Sequence, residues 1–328
     1  MKKFLSLLLF SIVAIILTAC SSETDSSIDT QEKTDMINVY TTVYPLQYFT
    51  ERIGAEYVNV KSIYPPGSNE HTFEPTQKTM INIADSDLFF YIGLGLEGFV
   101  EKAKTTLKGE NVTFIATAEN IPEEQLHIST GHTHDENEHG GHEHEEEEHH
   151  DHQDSELDPH VWLSPVISQE LAAVIKDELI KEMPEQEQLF TQNYDALVQE
   201  LEMLHHDFLA MTENVSNKTF FVSHAAFGYI AGHYGFNQVP IAGLNSQSEP
   251  SQKELAAIVD LAREKNITHI FFEQNVSSNL TKVIQEEIGA KASILHNLSV
   301  LTEEDIKNNE DYFTLMRSNL EVLESALK

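Results

Sequence analysis

The chain has 328 residues, with 54 acidic against 20 basic side chains and a formal net charge of -34. That imbalance excludes nucleic acid or an anionic membrane as an electrostatic partner and makes cations the natural guests. The length suffices for two domains with separate cores, and the single cysteine, Cys20, excludes an internal disulfide and a thiolate metal site in the mature chain.

The N-terminus reads as a secretory signal over 1–19: Lys2 and Lys3, an apolar run over 4–17, then Leu17-Thr18-Ala19-Cys20. The run is short for a membrane span of about 20 residues. Residues 20–35 are polar enough for a flexible tether. From residue 36, short β-rich runs alternate with helical stretches, which predicts βαβ units around a parallel sheet. Strands are expected over 37–45, 57–64, 87–93 and 111–117, with helices over 46–53, 75–84 and 96–107, forming one four-stranded α/β lobe.

The segment 127–156 breaks the alternation. It holds nine of the 17 histidines: His127, His132, His134, His139, His142, His144, His149, His150 and His152. Lacking apolar residues and dense in like charge, it is expected to stay disordered without metal and to capture ions weakly; a solubilising loop is the plainer alternative.

Ser164 and Pro165 mark a helix start, and this helix should end near Pro184. A long helix follows to about residue 214, with Phe190, Tyr194, Leu197, Leu201, Leu204, Phe208 and Met211 spaced alternately by four and three. Its length is about 45 Å. Such spacing fits a coiled-coil seam, but a helix separating two α/β halves fits a rigid strut better. The second half predicts strands over 218–224, 238–244, 268–278 and 292–300, with helices over 225–235, 248–266, 280–288 and 311–327, the second of these started at Ser248 or Ser251 with Pro250. The expected division is a first lobe over 36–184, a linking helix over 185–214 and a second lobe over 215–328.

Open parallel sheets bind ligands beyond the carboxyl ends of their strands. Four ligand-type side chains fall there: His71, His160, His224 and Glu273. Three imidazoles and a carboxylate make a tetrahedral set suited to Zn2+, two donors coming from each lobe. Glu273 as fourth ligand closes the position that a zinc hydrolase keeps open, so a binding protein is expected and not an enzyme. Glu70 is an alternative or supporting carboxylate. His205, His206, His233, His269 and His296 read as structural or solvated, and Trp162 as core.

The lipobox, the NEHTFEP loop, LDPHVWLSP, VSHAAFGY, SEPS and FFEQNVSS together resemble the metal-binding lipoproteins of bacterial zinc and manganese ABC importers, specifically the zinc branch, over about 36–328. The resemblance implies two α/β lobes joined by one long helix, metal ligands at His71, His160, His224 and Glu273, and lipid at Cys20. It also implies a monomer anchored outside the membrane that delivers Zn2+ to a permease. In the manganese branch the third ligand is typically a carboxylate and the fourth an aspartate, so His224 and Glu273 favour zinc. A manganese carrier, and an adhesin or metal buffer working through the histidine-rich segment, are the competing readings.

Overall fold

The computed structural model describes residues 36–129, 157–245, 250–274 and 278–328. The signal, the tether, Cys20, Ser248 and the histidines from His132 to His152 lie outside the described residues. Residues 36–328 belong to one unit.

The first sheet contains β1 (Ile37–Thr41), β2 (Val58–Ser62), β3 (Leu88–Tyr91) and β4 (Thr113–Ala116), all parallel in the order β2-β1-β3-β4. The second repeats that order with β5 (Thr219–His224), β6 (Asn237–Ala242), β7 (His269–Phe272) and β8 (Lys291–Ile294), arranged β6-β5-β7-β8. In each sheet the chain steps outward from its first strand and then crosses back to the other side. Such a reversal opens a crevice at the carboxyl ends of the two central strands. In the second sheet these strands are β5 and β7; His224 ends the first and Glu273 directly follows the other.

In the first half the helices are α1 (Tyr44–Gly54), α2 (Gln77–Ala84), α3 (Val100–Thr106) and α4 (Glu123–Leu126). Next come α5 (Pro165–Glu182) and the 28-residue α6 (Glu187–Asn214). The second half carries α7 (Gly228–Tyr234), α8 (Gln252–Glu264), α9 (Asn279–Ile288), α10 (Glu303–Asn308) and α11 (Tyr312–Leu327). The short α4 and α10 lie in stretches that the periodicity leaves as loop. Local signals work where side chains can meet backbone N–H groups. Ser164 caps α5 with Pro165 at its first turn, and Ser251 caps α8 in a reciprocal box with Glu254.

The α6 seam behaves as the strut reading expects. Phe190, Leu197, Leu201, Leu204, Phe208 and Met211 are buried against α1, α5, α7 and α11 of the same chain, and Tyr194 is half-buried beneath the Lys176 ammonium. One apolar core runs from β1 through α5 and α6 into Phe220, Val222 and Phe271 of the second sheet. A smaller core lies between β7 and the pair α8 and α9, around Ile258, Ile270 and Ile284. The terminal α11 packs beside the first sheet's helix: Tyr312 lies edge-on to Phe49 at 5.0 Å and stacks on Tyr48 at 6.2 Å. Among the described residues no helix is long and apolar enough to cross a membrane.

Candidate metal centre

Three histidines converge where the carboxyl ends of the two sheets meet. His71 comes from the loop between β2 and α2, where its N–H is held by Asn69 Oδ1 at 3.0 Å. His160 precedes a single 3₁₀ turn, Val161–Leu163, and His224 ends β5. Their ring centroids are 5.0, 5.2 and 5.3 Å apart, close to an equilateral triangle. His160 Nε2 lies 3.3 Å from both His71 Nε2 and His224 Nε2. A zinc–imidazole bond of about 2.05 Å sets a tetrahedral edge of about 3.3 Å between ligand nitrogens. Among the described residues this is the one cluster of three or more such groups spaced to hold a metal.

The far side of each ring explains why these nitrogens point inward. Asp158 Oδ1 accepts from His160 Nδ1 at 2.8 Å and from the His160 backbone N–H at 2.9 Å. Glu273 Oε1 takes His224 Nδ1 at 2.5 Å. With Nδ1–H committed to a carboxylate, each Nε2 is left with a lone pair, which is the tautomer a metal needs. Lone pairs facing each other at 3.3 Å repel unless a cation or proton lies between them. His71 is held neutral instead by burial, reinforced by His160 and His224, which push its pKa down to about 2. For His224, burial works against the charged form but Glu273 outweighs it, leaving the pKa raised. Glu273 shows the complement: burial alone would raise it, whereas His224, His160 and Asn297 hold it below the ordinary carboxylate range.

The expected fourth donor, Glu273, therefore has both oxygens engaged, Oε1 by His224 and Ser223 and Oε2 by Asn297 Nδ2 at 2.7 Å. Glu70 stands on the other side of the same amide. Its Oε1 accepts from Asn297 Nδ2 at 3.1 Å and lies 3.9 Å from His71 Nε2, while its Oε2 is buried without a hydrogen-bond partner. Burial, then the Glu273 charge, raises its pKa.

Several supporting residues escape a reading by residue type. Asn297 sits just past β8, its amide shared by both glutamates, its Oδ1 held by Gln274 and Ser299, and its carbonyl accepting from Trp162 Nε1 at 2.7 Å. Leu298 beside it adopts a left-handed φ of 58°, a conformation whose cost is accepted where a neighbour must be aimed. Asp158 is anchored by Ser129, whose hydroxyl donates to Oδ2, and by the Tyr229 hydroxyl donating to its carbonyl at 2.7 Å. Asp158 was findable, two residues before His160 in the same motif; Asn297 carries no local signal beyond its place past a strand end. Trp162, read as core, is fully buried and also lies edge-on to His160 at 5.4 Å.

The bystander histidines stay outside the triad. His296 accepts from the Leu298 N–H at Nδ1 and places Nε2 3.0 Å from Asp305 Oδ2, a structural role. His205 Nδ1 lies 3.1 Å from the Tyr234 hydroxyl, and His127 lies 3.2 Å from Glu123 on the surface.

Comparison with known proteins places this geometry. The family of the zinc-uptake complex component A, described as periplasmic, matches residues 39–326. The zinc-binding protein AdcA of Streptococcus pyogenes is 37% identical over 287 residues, 88% of this chain and 55% of its own length. The zinc-binding lipoprotein AdcA of Streptococcus pneumoniae is 35% identical over 98% of this chain and 60% of its length. This chain thus spans little more than half of those relatives. The high-affinity zinc uptake system protein ZnuA of Bacillus subtilis is 34% identical over 99% of this chain and 98% of its own. Among solved structures, the Zn(II)-bound ZnuA-like domain of the pneumococcal AdcA superposes with a TM-score of 0.71 at 31% identity, covering 89% of this chain and 99% of that one. The laminin-binding protein of Streptococcus agalactiae, described as having adhesin and metal-transporting activity, gives 0.75 at 28% identity over 89% of this chain and all of its own. The chain belongs to the zinc-uptake complex component A family.

Proposed function

We propose that this protein captures Zn2+ outside the cell membrane, holds it between its two sheets and releases it to the permease of an ABC importer, without chemical turnover. The observation that carries the reading is the triad: His160 Nε2 already at the tetrahedral edge from both His71 Nε2 and His224 Nε2, and two rings with Nδ1 bound to a buried carboxylate. Imidazole-rich sets favour zinc over manganese. The names of the streptococcal and Bacillus relatives point to the same ion. In this reading His71, His160 and His224 are ligands and a carboxylate completes the set. Glu273, the ligand expected from its strand-end position, would exchange a hydrogen bond for the metal, whereas Glu70 Oε2 would give up none. The decisive experiment is competitive zinc titration of the wild-type chain, His160→Ala and a deletion of 127–152. The deletion should remove weak equivalents and leave one tight site; His160→Ala should weaken the tight site strongly. Loss of tight binding on deletion alone would sink the reading in favour of a metal buffer working through the histidine-rich segment, and tight Mn2+ with poor Zn2+ would make the chain a manganese carrier.

Anchoring through lipid on Cys20 belongs to the same proposal, supported by the signal-like N-terminus and the lipoprotein name of the pneumococcal relative. Cys20→Ala should then release the protein into the medium of growing cells; retention at the membrane would refute the anchor.

A further inference from the structure

The two glutamates beside the triad are joined by one side chain. Asn297 is fully buried, and its Nδ2 lies 2.7 Å from Glu273 Oε2 and 3.1 Å from Glu70 Oε1. A side-chain amide nitrogen carries two hydrogens, so both carboxylates are served at once. The amide cannot turn over. Its Oδ1 accepts from Gln274 Nε2 at 2.9 Å and from the Ser299 N–H and hydroxyl at 3.1 and 2.9 Å. Reversed, it would strand those donors and set an oxygen against two carboxylates.

The backbone of Asn297 is fixed as firmly as its amide. Its N–H donates to Gln274 Oε1 at 3.2 Å, and its carbonyl takes Trp162 Nε1 at 2.7 Å. On one side, His296 is bracketed by Asn319 of α11, whose Oδ1 accepts from the His296 N–H and whose Nδ2 donates to the His296 carbonyl, both at 2.7 Å. On the other, Leu298 at a φ of 58° donates its N–H to His296 Nδ1 at 2.9 Å, and His296 Nε2 rests 3.0 Å from Asp305 Oδ2. Gln274 directly follows Glu273, so the residue that orients Asn297 also ties it to the end of β7.

The glutamates are not equally free to reach an ion at the triad. Glu273 Oε1 is taken by His224 and Ser223 and its Oε2 by Asn297, whereas Glu70 Oε2 has no partner. Either carboxylate that leaves the amide strands one of its hydrogens, and if both left, both would be unpaired on a fully buried side chain. We propose, on the reading that the triad holds Zn2+, that Asn297 determines metal specificity by holding one carboxylate back. Three imidazoles then receive a single carboxylate and the ion stays four-coordinate. Such nitrogen-rich tetrahedral sets suit Zn2+, while Mn2+ favours octahedral, oxygen-rich ones. Released, the second carboxylate would raise the coordination number and move the preference toward manganese. Asn297 touches no metal; it is a positioning residue.

The test uses the full mature chain as wild type and two variants. Asn297→Asp keeps an oxygen for Gln274 and Ser299 and removes only the donors to the glutamates, and Asn297→Ala removes them without adding charge. Wild-type protein loaded with Co2+ should show the intense visible bands of a four-coordinate ion. In both variants these bands should weaken to those of a higher-coordinate ion. The preference for Zn2+ over Mn2+ in competitive titration should narrow by about 10–100-fold, the range for replacing a supporting partner of a metal ligand. A higher-coordinate spectrum in the wild type, which needs no variant, overturns the proposal. So do variants that keep both the four-coordinate spectrum and the wild-type preference. Tighter binding of both ions by Asn297→Asp with an unchanged spectrum reports the added charge alone and counts against the proposal too. Failure of the zinc reading looks different: tight Mn2+ with poor Zn2+ in the wild type, or tight zinc binding that survives His160→Ala, overturns that reading and this inference together.

Discussion

Each imidazole of the triad is useful only because something behind it fixes its proton. Asp158 does this for His160 and Glu273 for His224, so the carboxylates act on the metal through tautomer and ring orientation. Asp158→Asn should therefore weaken zinc binding by about 10–100-fold with the fold intact, the usual range for a supporting partner of a metal ligand. Chelator competition checks the affinity and far-ultraviolet circular dichroism the fold. Ser129→Ala, one bond further out, should cost less than Asp158→Asn in the same assay. The two glutamates that share Asn297 differ in what they have to spare. If Glu70 Oε2 completes the set, Glu70→Gln should alter the visible spectrum of the Co2+-loaded protein, and Glu273→Gln should mainly lower affinity. The reverse pattern would assign the ligand to Glu273.

At the scale of elements, α6 decides how the halves are held. Its seam is fully buried through Leu197, Leu201, Leu204 and Phe208, within a core that continues into both sheets. Leu201→Ala should destabilise the protein by about 2–5 kcal/mol, the range for a buried leucine that leaves a cavity, measured by urea unfolding. The junction of α7 with Ile128 is a very close approach: Gly232→Ala places a methyl group on a backbone carbonyl rather than on a flexible side chain. It should cost about 1–3 kcal/mol or more by overpacking, although Ala is the better helix former.

For the whole molecule, metal and protons act on stability in separable ways. Saturating zinc at 100 times its dissociation constant should stabilise the native state by about 2.7 kcal/mol, seen as a rise in Tm that His160→Ala abolishes. Without metal, Glu97 should set a slope with pH. Burial, against hydrogen bonds from Ile92 N–H, Thr42 Oγ1 and Gly93 N–H, pushes its carboxyl from 4.5 up to about 7. Its contribution is therefore fully present below pH 4.5 and lost as pH rises through 7. For Asp305 burial is outweighed by His296 and Thr302, which hold it near 2, so its contribution is flat over that window and is lost only as pH falls from 3.8 through 2. His71, its imidazole kept neutral down to about 2, works the other way, its share rising as pH rises to 6.5. The test is therefore a difference: the metal-free urea midpoint of the wild type should fall relative to that of Glu97→Gln between pH 5 and pH 8.

Sequence alone determined the alternation that makes two parallel sheets, the α6 seam, the cap at Ser164, and the strand ends where His224 and Glu273 stand. These follow from local rules: side-chain period, backbone N–H groups needing acceptors, and ligands gathering where parallel strands end. The division of labour inside the site was decided elsewhere. Whether Glu273 faces a metal or His224, which oxygen of Glu70 is left over, and that Asn297 joins the two depend on which side chains 227 and 24 residues apart come within hydrogen-bond reach. The docking of α11 on α1 and of Ile128 on Gly232 is likewise a matter of fit between remote surfaces. Periodicity shows that a face will be buried but not against what, because burial energy is nearly indifferent to its partner while hydrogen bonds and close packing are not.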